Sequence, residues 1–128
     1  MVTYHSCGFI EPFIPELIEI GVDVLNPQFS CHDLRQLADL CRGRVCIATD
    51  LDRQHVMPHG TTDEVRTYTR SVIETLALPS GGLIGRVEAG PDTPAANIEA
   101  AYATFAGYRF DHTPGDGSGH AAQPSSSR

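Results

Sequence analysis

Lysine is absent from this chain. Its 128 residues include nine basic side chains, and all nine are arginine. Schiff-base aldolases and pyridoxal-phosphate enzymes depend on a lysine amine, and phosphate-binding loops of the Walker type depend on a lysine that contacts the phosphates. The absence of lysine therefore excludes these three mechanisms.

Other features are missing as well. The chain has no run of about 20 apolar residues that could span a membrane and no signal-peptide pattern at its start. Its four cysteines include no Cys-x-x-Cys pair. A formal net charge of −7 and an isoelectric point near 5.2 argue against nucleic acid and anionic membranes as partners. We therefore expect a cytoplasmic protein without a disulfide framework.

Four short apolar runs predict strands. They are Val2–His5, Val22–Leu25, Val45–Ala48 and Leu83–Val87. A helical pattern follows each run: Phe9–Ile20, His32–Arg42, a helix that opens with a capping box at Thr61–Glu64, and one that Thr93 caps and that ends near Gly107. The sequence thus predicts an α/β fold of four consecutive βα units over residues 1–110. A self-contained flavodoxin-like sheet is the alternative.

Residues 111–128 differ in composition from the rest of the chain. They are dominated by Gly, Pro, Ser, His and Asp, and they contain nothing apolar enough to pack into a core. We expect them to form a disordered tail.

Polar side chains follow each predicted strand. They are His5 and Cys7, Asn26 and Gln28, Asp50 and Asp52, and Glu88. The carboxyl ends of parallel strands share one edge of the sheet, where α/β folds keep their binding and catalytic groups. The pattern therefore predicts part of an enzyme site.

Several separated motifs resemble the uroporphyrinogen decarboxylase superfamily. They are His5-x-Cys7-Gly8, the run from Leu17 to Gln28, Asp52-x-Gln54 with Gly60-Thr61-x-x-Glu64-Val65, and Gly81-Gly82 followed by Pro94-x-x-Asn97-Ile98. The resemblance covers about residues 3–110. It implies a (β/α)8 TIM barrel of which this chain is the carboxyl-terminal half, because members of the family are much longer.

The superfamily contains two kinds of enzyme. Uroporphyrinogen decarboxylases of porphyrin (haem) biosynthesis need no cofactor, whereas zinc methyltransferases pass a methyl group between a corrinoid and a thiol such as coenzyme M. The His5-x-Cys7 pair resembles the methyltransferase branch, where it supplies two zinc ligands and a later Cys supplies the third. This chain has no Cys after Cys46, and in the matching region the resemblance leaves Glu88 as the third ligand.

The His5 and Cys7 pair also supports zinc by its spacing. Two residues apart on an extended segment, both side chains point the same way, and zinc accepts imidazole, thiolate and carboxylate while a catalytic site keeps one position open. The alternative is that Cys7 is a small packing residue and His5 a hydrogen-bonded residue at a strand end.

The remaining polar residues at this edge are predicted to bind substrate. Asn26 and Gln28 can orient a polar group, and Asp50 and Asp52 can bind a basic or pyrrole N–H ligand or raise each other's pKa. These four residues have an alternative role in capping or in tying loops together. Gln54, from the Asp52-x-Gln54 motif, is also predicted to bind substrate.

Three functions remain open from the sequence. The first is zinc-dependent methyl transfer from corrinoid to thiol, and the second is uroporphyrinogen decarboxylation without a metal. The third is a non-catalytic remnant or partner subunit that needs a separate amino-terminal half. The expected partners are a small-molecule substrate and either an amino-terminal half-barrel or a second copy of the chain.

Overall fold

The computed structural model of this protein describes residues 1–110, and the tail predicted to be disordered, residues 111–128, lies outside the described residues. Strands and helices alternate along the chain: β1 Thr3–Ser6, α1 Ile14–Glu19, β2 Val24–Pro27, α2 Leu34–Cys41, β3 Cys46–Ala48, α3 Val56–His59, α4 Thr62–Leu76, β4 Leu83–Ile84 and α5 Ala95–Gly107. Two 3-10 turns, Glu11–Phe13 and Phe29–Cys31, precede α1 and α2.

The four strands form one parallel sheet in the order β1-β2-β3-β4. The register pairs His5 with Asn26, Leu25 with Ile47, and Ala48 with Ile84. The predicted α/β class and the parallel sheet are confirmed. A flavodoxin-like sheet reverses its strand order after the first unit, so the sequential order contradicts that alternative.

The helices cover one face of the sheet. Leu25 and Ile47 point to this face and belong to a core that Leu37, Val65 and Val72 complete from the helices. The opposite face carries the next residue of each strand, because side chains alternate along a strand. On that face His5 and Ile84 are exposed, whereas Asn26 and Ala48 are buried. None of the helices in residues 1–110 is long and apolar enough to cross a membrane.

The helix starts show which predicted caps form. Thr61 accepts from the Glu64 N–H at 3.1 Å while the Glu64 side chain accepts from the Thr61 N–H at 2.8 Å, which confirms the capping box of α4. The cap predicted at Thr93 is wrong. Pro94 is the N-cap of α5, and the Thr93 hydroxyl oxygen is buried with no hydrogen-bond partner among the described residues.

Strand β4 is shorter than the predicted run Leu83–Val87. The backbone N–H of Arg86 donates to the Thr49 hydroxyl at 2.8 Å, and that hydroxyl donates to the Arg86 carbonyl at 2.6 Å. The Thr49 side chain thus replaces the backbone hydrogen bonds between β3 and β4 just beyond Ile84. This contact fixes the backbone from which Arg86 and Glu88 project.

Gly85 lets α5 approach this end of β4. A Cβ atom at Gly85 would lie 2.7 Å from the Phe105 ring. We expect Gly85→Ala to lower the free energy of unfolding by about 1–3 kcal/mol, because overpacking of this size forces neighbours to move. Urea denaturation measures the change.

Gly107→Ala is the matched control, because a Cβ at Gly107 meets nothing within 4 Å. Gly107 lies at the end of α5, where alanine has the higher helix propensity, so this variant should be as stable as the wild type or more so. Equal effects of the two substitutions would contradict the contact between Gly85 and Phe105.

Candidate functional site

A polar cluster lies at the carboxyl ends of the strands, on the face that the helices leave open. A cavity of about 240 Å³ runs across β1, β2 and β3 to the segment after β4, and it is lined by Thr3, His5, Asn26, Ala48, Arg86 and Glu88. Arg53 and Cys7 extend the cluster at the same edge. The sheet therefore brings together residues that lie more than 80 positions apart in the sequence.

Asn26 fixes the imidazole of His5. The Asn26 amide nitrogen donates to the Ala48 carbonyl at 2.8 Å, so its Oδ1 atom faces the other way, 2.7 Å from His5 Nδ1. The Asn26 backbone carbonyl lies 3.1 Å from the same Nδ1 atom. Because both contacts are acceptors, Nδ1 carries the proton, and Nε2 of the neutral ring presents its lone pair.

That lone pair faces Cys7. The Cys7 sulfur lies 3.6 Å from His5 Nε2, and both residues are exposed. The other three cysteines are more enclosed. Burial raises the pKa of Cys41 to about 11 and also raises the pKa of Cys46. Cys7 is thus the exposed cysteine of the four, and it lies beside a histidine of fixed orientation.

Two arginines hold Glu88. Arg53 forms a close ion pair with Oε1 of Glu88, and Arg86 donates to Oε2 at 2.6 Å. The guanidinium of Arg86 also donates to Asn26 Oδ1 at 3.1 Å, and that of Arg53 lies 3.8 Å from Asp50 Oδ2 and 3.8 Å from the Cys7 sulfur. The arginines therefore link Glu88 to Asn26, Asp50 and Cys7.

Neither arginine was predicted from the sequence. Arg86 precedes Glu88 by two residues on an extended segment, so alternation alone places both side chains on one face. Arg53 is the unspecified middle residue of the Asp52-x-Gln54 motif, so the motif does not mark it as a site residue. A search for arginines among the polar residues at the strand ends would have found both.

Asp50 is the buried acid of the cluster. It is 1% exposed, and its Oδ1 atom has no hydrogen-bond partner among the described residues. Burial raises the pKa of Asp50, and the charge of Arg53 partly opposes this effect. Asp50 was predicted to bind a ligand, and it lies in the cluster with a free acceptor atom.

Two of the residues predicted to bind substrate, Gln28 and Asp52, hold backbone groups of nearby loops. Gln28 accepts from the Gly8 N–H at 2.8 Å and donates to the Ser30 hydroxyl at 3.1 Å. Asp52 accepts from the backbone N–H groups of Gln54 and His55, each at 3.0 Å. The Gln54 residue itself is exposed. Gln28 and Asp52 thus tie loops together, which was the alternative role that the sequence left open.

The predicted metal ligands fit zinc in part. His5 and Cys7 present a nitrogen and a sulfur side by side, whereas the carboxylate of Glu88 is occupied by Arg53 and Arg86. Within residues 1–110, no three His, Cys, Asp or Glu side chains are grouped closely enough to hold a metal ion. Among the described residues, His5 and Cys7 therefore lie together, and Glu88 forms ion pairs with the two arginines.

Comparison with models of protein families, with curated proteins and with solved structures finds no match to this chain. The resemblance to the uroporphyrinogen decarboxylase superfamily rests on the residues quoted above.

The raised pKa of Asp50 has a consequence for stability. The Asp50 carboxyl group holds its proton more tightly in the folded chain than in the unfolded chain. Its contribution to the free energy of unfolding therefore falls as pH rises above the ordinary carboxyl pKa of about 3.9. We expect Asp50→Asn to be more stable than the wild type at pH 7, with the difference shrinking as pH approaches 4. Urea denaturation at several pH values measures this difference.

Asp39→Asn is the control, because Asp39 is an exposed residue of α2. Its effect on unfolding should change little between pH 4 and pH 7. A wild type that is more stable than Asp50→Asn at pH 7 would show that ionised Asp50 stabilises the fold.

Proposed function

We propose that this chain is the carboxyl-terminal half of a barrel enzyme of the uroporphyrinogen decarboxylase superfamily, of the type that transfers a methyl group from a corrinoid to a thiol with zinc. The ordered motifs between residues 3 and 110 support the family. The pair His5 and Cys7 supports the methyltransferase branch.

The sheet topology supports the proposed half-barrel. Strands of a (β/α)8 barrel follow one another in chain order, all parallel, with the helices on the outside. The four strands here have that order, and their helices lie on one face. In the proposal, an amino-terminal half supplies the other four strands, and the open face becomes the interior of the barrel.

One distance carries the zinc proposal. A tetrahedral zinc ion with nitrogen at about 2.0 Å and sulfur at about 2.3 Å places these two ligand atoms about 3.5 Å apart. His5 Nε2 and Cys7 Sγ lie 3.6 Å apart in the metal-free chain. Asn26 accepts the proton of Nδ1, as the partners of metal-bound histidines commonly do.

The residues around this pair favour a thiol substrate. Zinc, when bound, would hold a substrate thiol as the thiolate, which is the nucleophilic form. Asn26 fixes the plane of the His5 ring, and Arg53 places positive charge 3.8 Å from the Cys7 sulfur. Both donors are exposed, so a substrate reaches them from the open face. The remaining zinc ligand belongs, in this proposal, to the amino-terminal half.

Uroporphyrinogen decarboxylation is the second candidate, and the Oδ1 atom of Asp50, which has no hydrogen-bond partner among the described residues, favours it. This oxygen could accept a pyrrole N–H group only after the side chain turns toward the cavity, because the atom is buried in the structure. The cavity of about 240 Å³ is smaller than the roughly 300–1,000 Å³ of drug-sized ligand sites. A whole porphyrinogen would therefore need space that the other half of the barrel provides.

Zinc binding tests the proposal. The reduced, metal-free chain is titrated with zinc against a chromogenic chelator. We expect His5→Ala and Cys7→Ser each to lower the affinity by more than the roughly 10–100-fold that loss of an outer-shell partner costs. Glu88→Ala should have a much smaller effect, because Arg53 and Arg86 occupy its carboxylate.

Cys31→Ser and His59→Ala are the matched controls, since they remove the same residue types outside the cluster. Both should leave the zinc affinity unchanged. Zinc uptake whose affinity is unchanged in both Cys7→Ser and His5→Ala would rule out the methyltransferase proposal and favour the metal-free decarboxylase.

A further inference from the structure

The ion pairs of Glu88 have an unusual arrangement for a surface contact. Two guanidiniums converge on one carboxylate, and each is fixed from behind by a buried residue: Arg53 by Asp50 and Arg86 by Asn26. Asp50 and Asn26 are 1% and 5% exposed. Each arginine therefore has a contact with a buried residue in addition to its ion pair with Glu88.

We propose that Arg53 and Arg86 form a binding site for the carboxylate group of a small ligand, and that Glu88 occupies this site in the ligand-free chain. The guanidinium group binds carboxylates through paired N–H donors, and arginine is the residue most suited to this task. Glu88 shows which position the ligand carboxylate takes.

Exchange between Glu88 and a ligand is energetically accessible. The side chains of Arg53, Arg86 and Glu88 are 25%, 44% and 36% exposed. Ion pairs at such partly exposed positions are weak, so a ligand carboxylate at sufficient concentration can displace Glu88. The released Glu88 side chain can turn into solvent.

The adjoining cavity limits the size of the ligand beyond its carboxylate group. It borders Arg86 and Glu88 directly, and its volume of about 240 Å³ suits a small organic acid. His5, Asn26 and Thr3 provide hydrogen-bonding groups along the wall. The site needs no metal, so the inference goes beyond the proposed zinc chemistry and is tested separately from it.

Acetate binding to the metal-free chain tests the inference. Calorimetric or NMR titration in chloride buffer compares the wild type, Glu88→Ala, and Glu88→Ala combined with Arg86→Gln. If Glu88 fills the site nine-tenths of the time, its removal tightens acetate binding by about tenfold. Arg86→Gln should abolish that gain.

Glu99→Ala is the matched control, because Glu99 is exposed on α5 and its loss changes the net charge by the same amount. It should leave acetate affinity at the wild-type value. Circular dichroism checks that each variant is folded, and Glu88→Gln, which keeps the side-chain volume, replaces Glu88→Ala if the latter unfolds.

Two results would overturn the inference. Acetate affinity that is equal in the wild type and the folded Glu88 variant would make Glu88 a structural ion-pair partner only. Tighter binding of inorganic phosphate than of acetate by the Glu88 variant would assign the arginines to a different class of ligand. Zinc affinity plays no part in either result, so the failure of one proposal leaves the other intact.

Discussion

The Asn26 side chain is the contact on which the candidate site depends. Its amide nitrogen donates to the carbonyls of Ala48 and Thr49, at 2.8 and 3.4 Å, where the ladder between β2 and β3 has ended. Its oxygen accepts from His5 on one side and from Arg86 on the other. A buried amide with both ends satisfied is strongly favoured over one that has lost a partner. One residue of β2 thus orients groups from β1 and from the segment after β4.

The electrostatics of the cluster differ from those of the whole chain. The chain carries a net charge of −7, yet the cluster places two arginines beside Glu88 and the buried Asp50. A carboxyl group that is nearly inaccessible and lacks a partner for one oxygen costs stability, and the neighbouring Arg53 repays only part of that cost. Groups with shifted pKa values concentrate at functional sites for this reason. Asp50 therefore combines burial, an oxygen without a hydrogen-bond partner among the described residues and a raised pKa in one residue of the cluster.

Local features of the sequence predicted the succession of elements, and they failed where a contact between distant residues decided the outcome. Thr61 and Thr93 show the difference at helix starts. Thr61 has Glu64 three residues on, which completes a reciprocal cap, whereas Pro94 takes the N-cap position and leaves Thr93 one residue too early. The strand order was not readable from the sequence either, because hydrogen bonds between strands connect segments about 20 to 40 residues apart.

The candidate site, like the fold, was predictable only where neighbouring residues in the sequence determine it. The spacing of His5 and Cys7 placed both on one face, and their side chains are adjacent in the structure. Glu88 was found as a polar residue near a strand end, but its arginine partners were not: Arg53 lies 35 residues away along the chain, and Arg86 lies two residues away in a predicted strand. Gln28 and Asp52 have the residue types of a binding site, and only their contacts with Gly8, Ser30, Gln54 and His55 reveal a structural role.

The open face of the sheet changes from apolar to charged between the amino ends and the carboxyl ends of the strands. Near the amino ends of the strands it presents Val24 and Cys46, and one step further Ala48 and Ile84. Two residues beyond these come Asp50 and Arg86, so the face becomes charged only at the carboxyl ends. Barrel interiors are filled by apolar side chains below and carry their ligand sites at the carboxyl rim. In the proposed half-barrel, the other strands would place apolar groups against Val24 and Ile84 and leave space above Arg86.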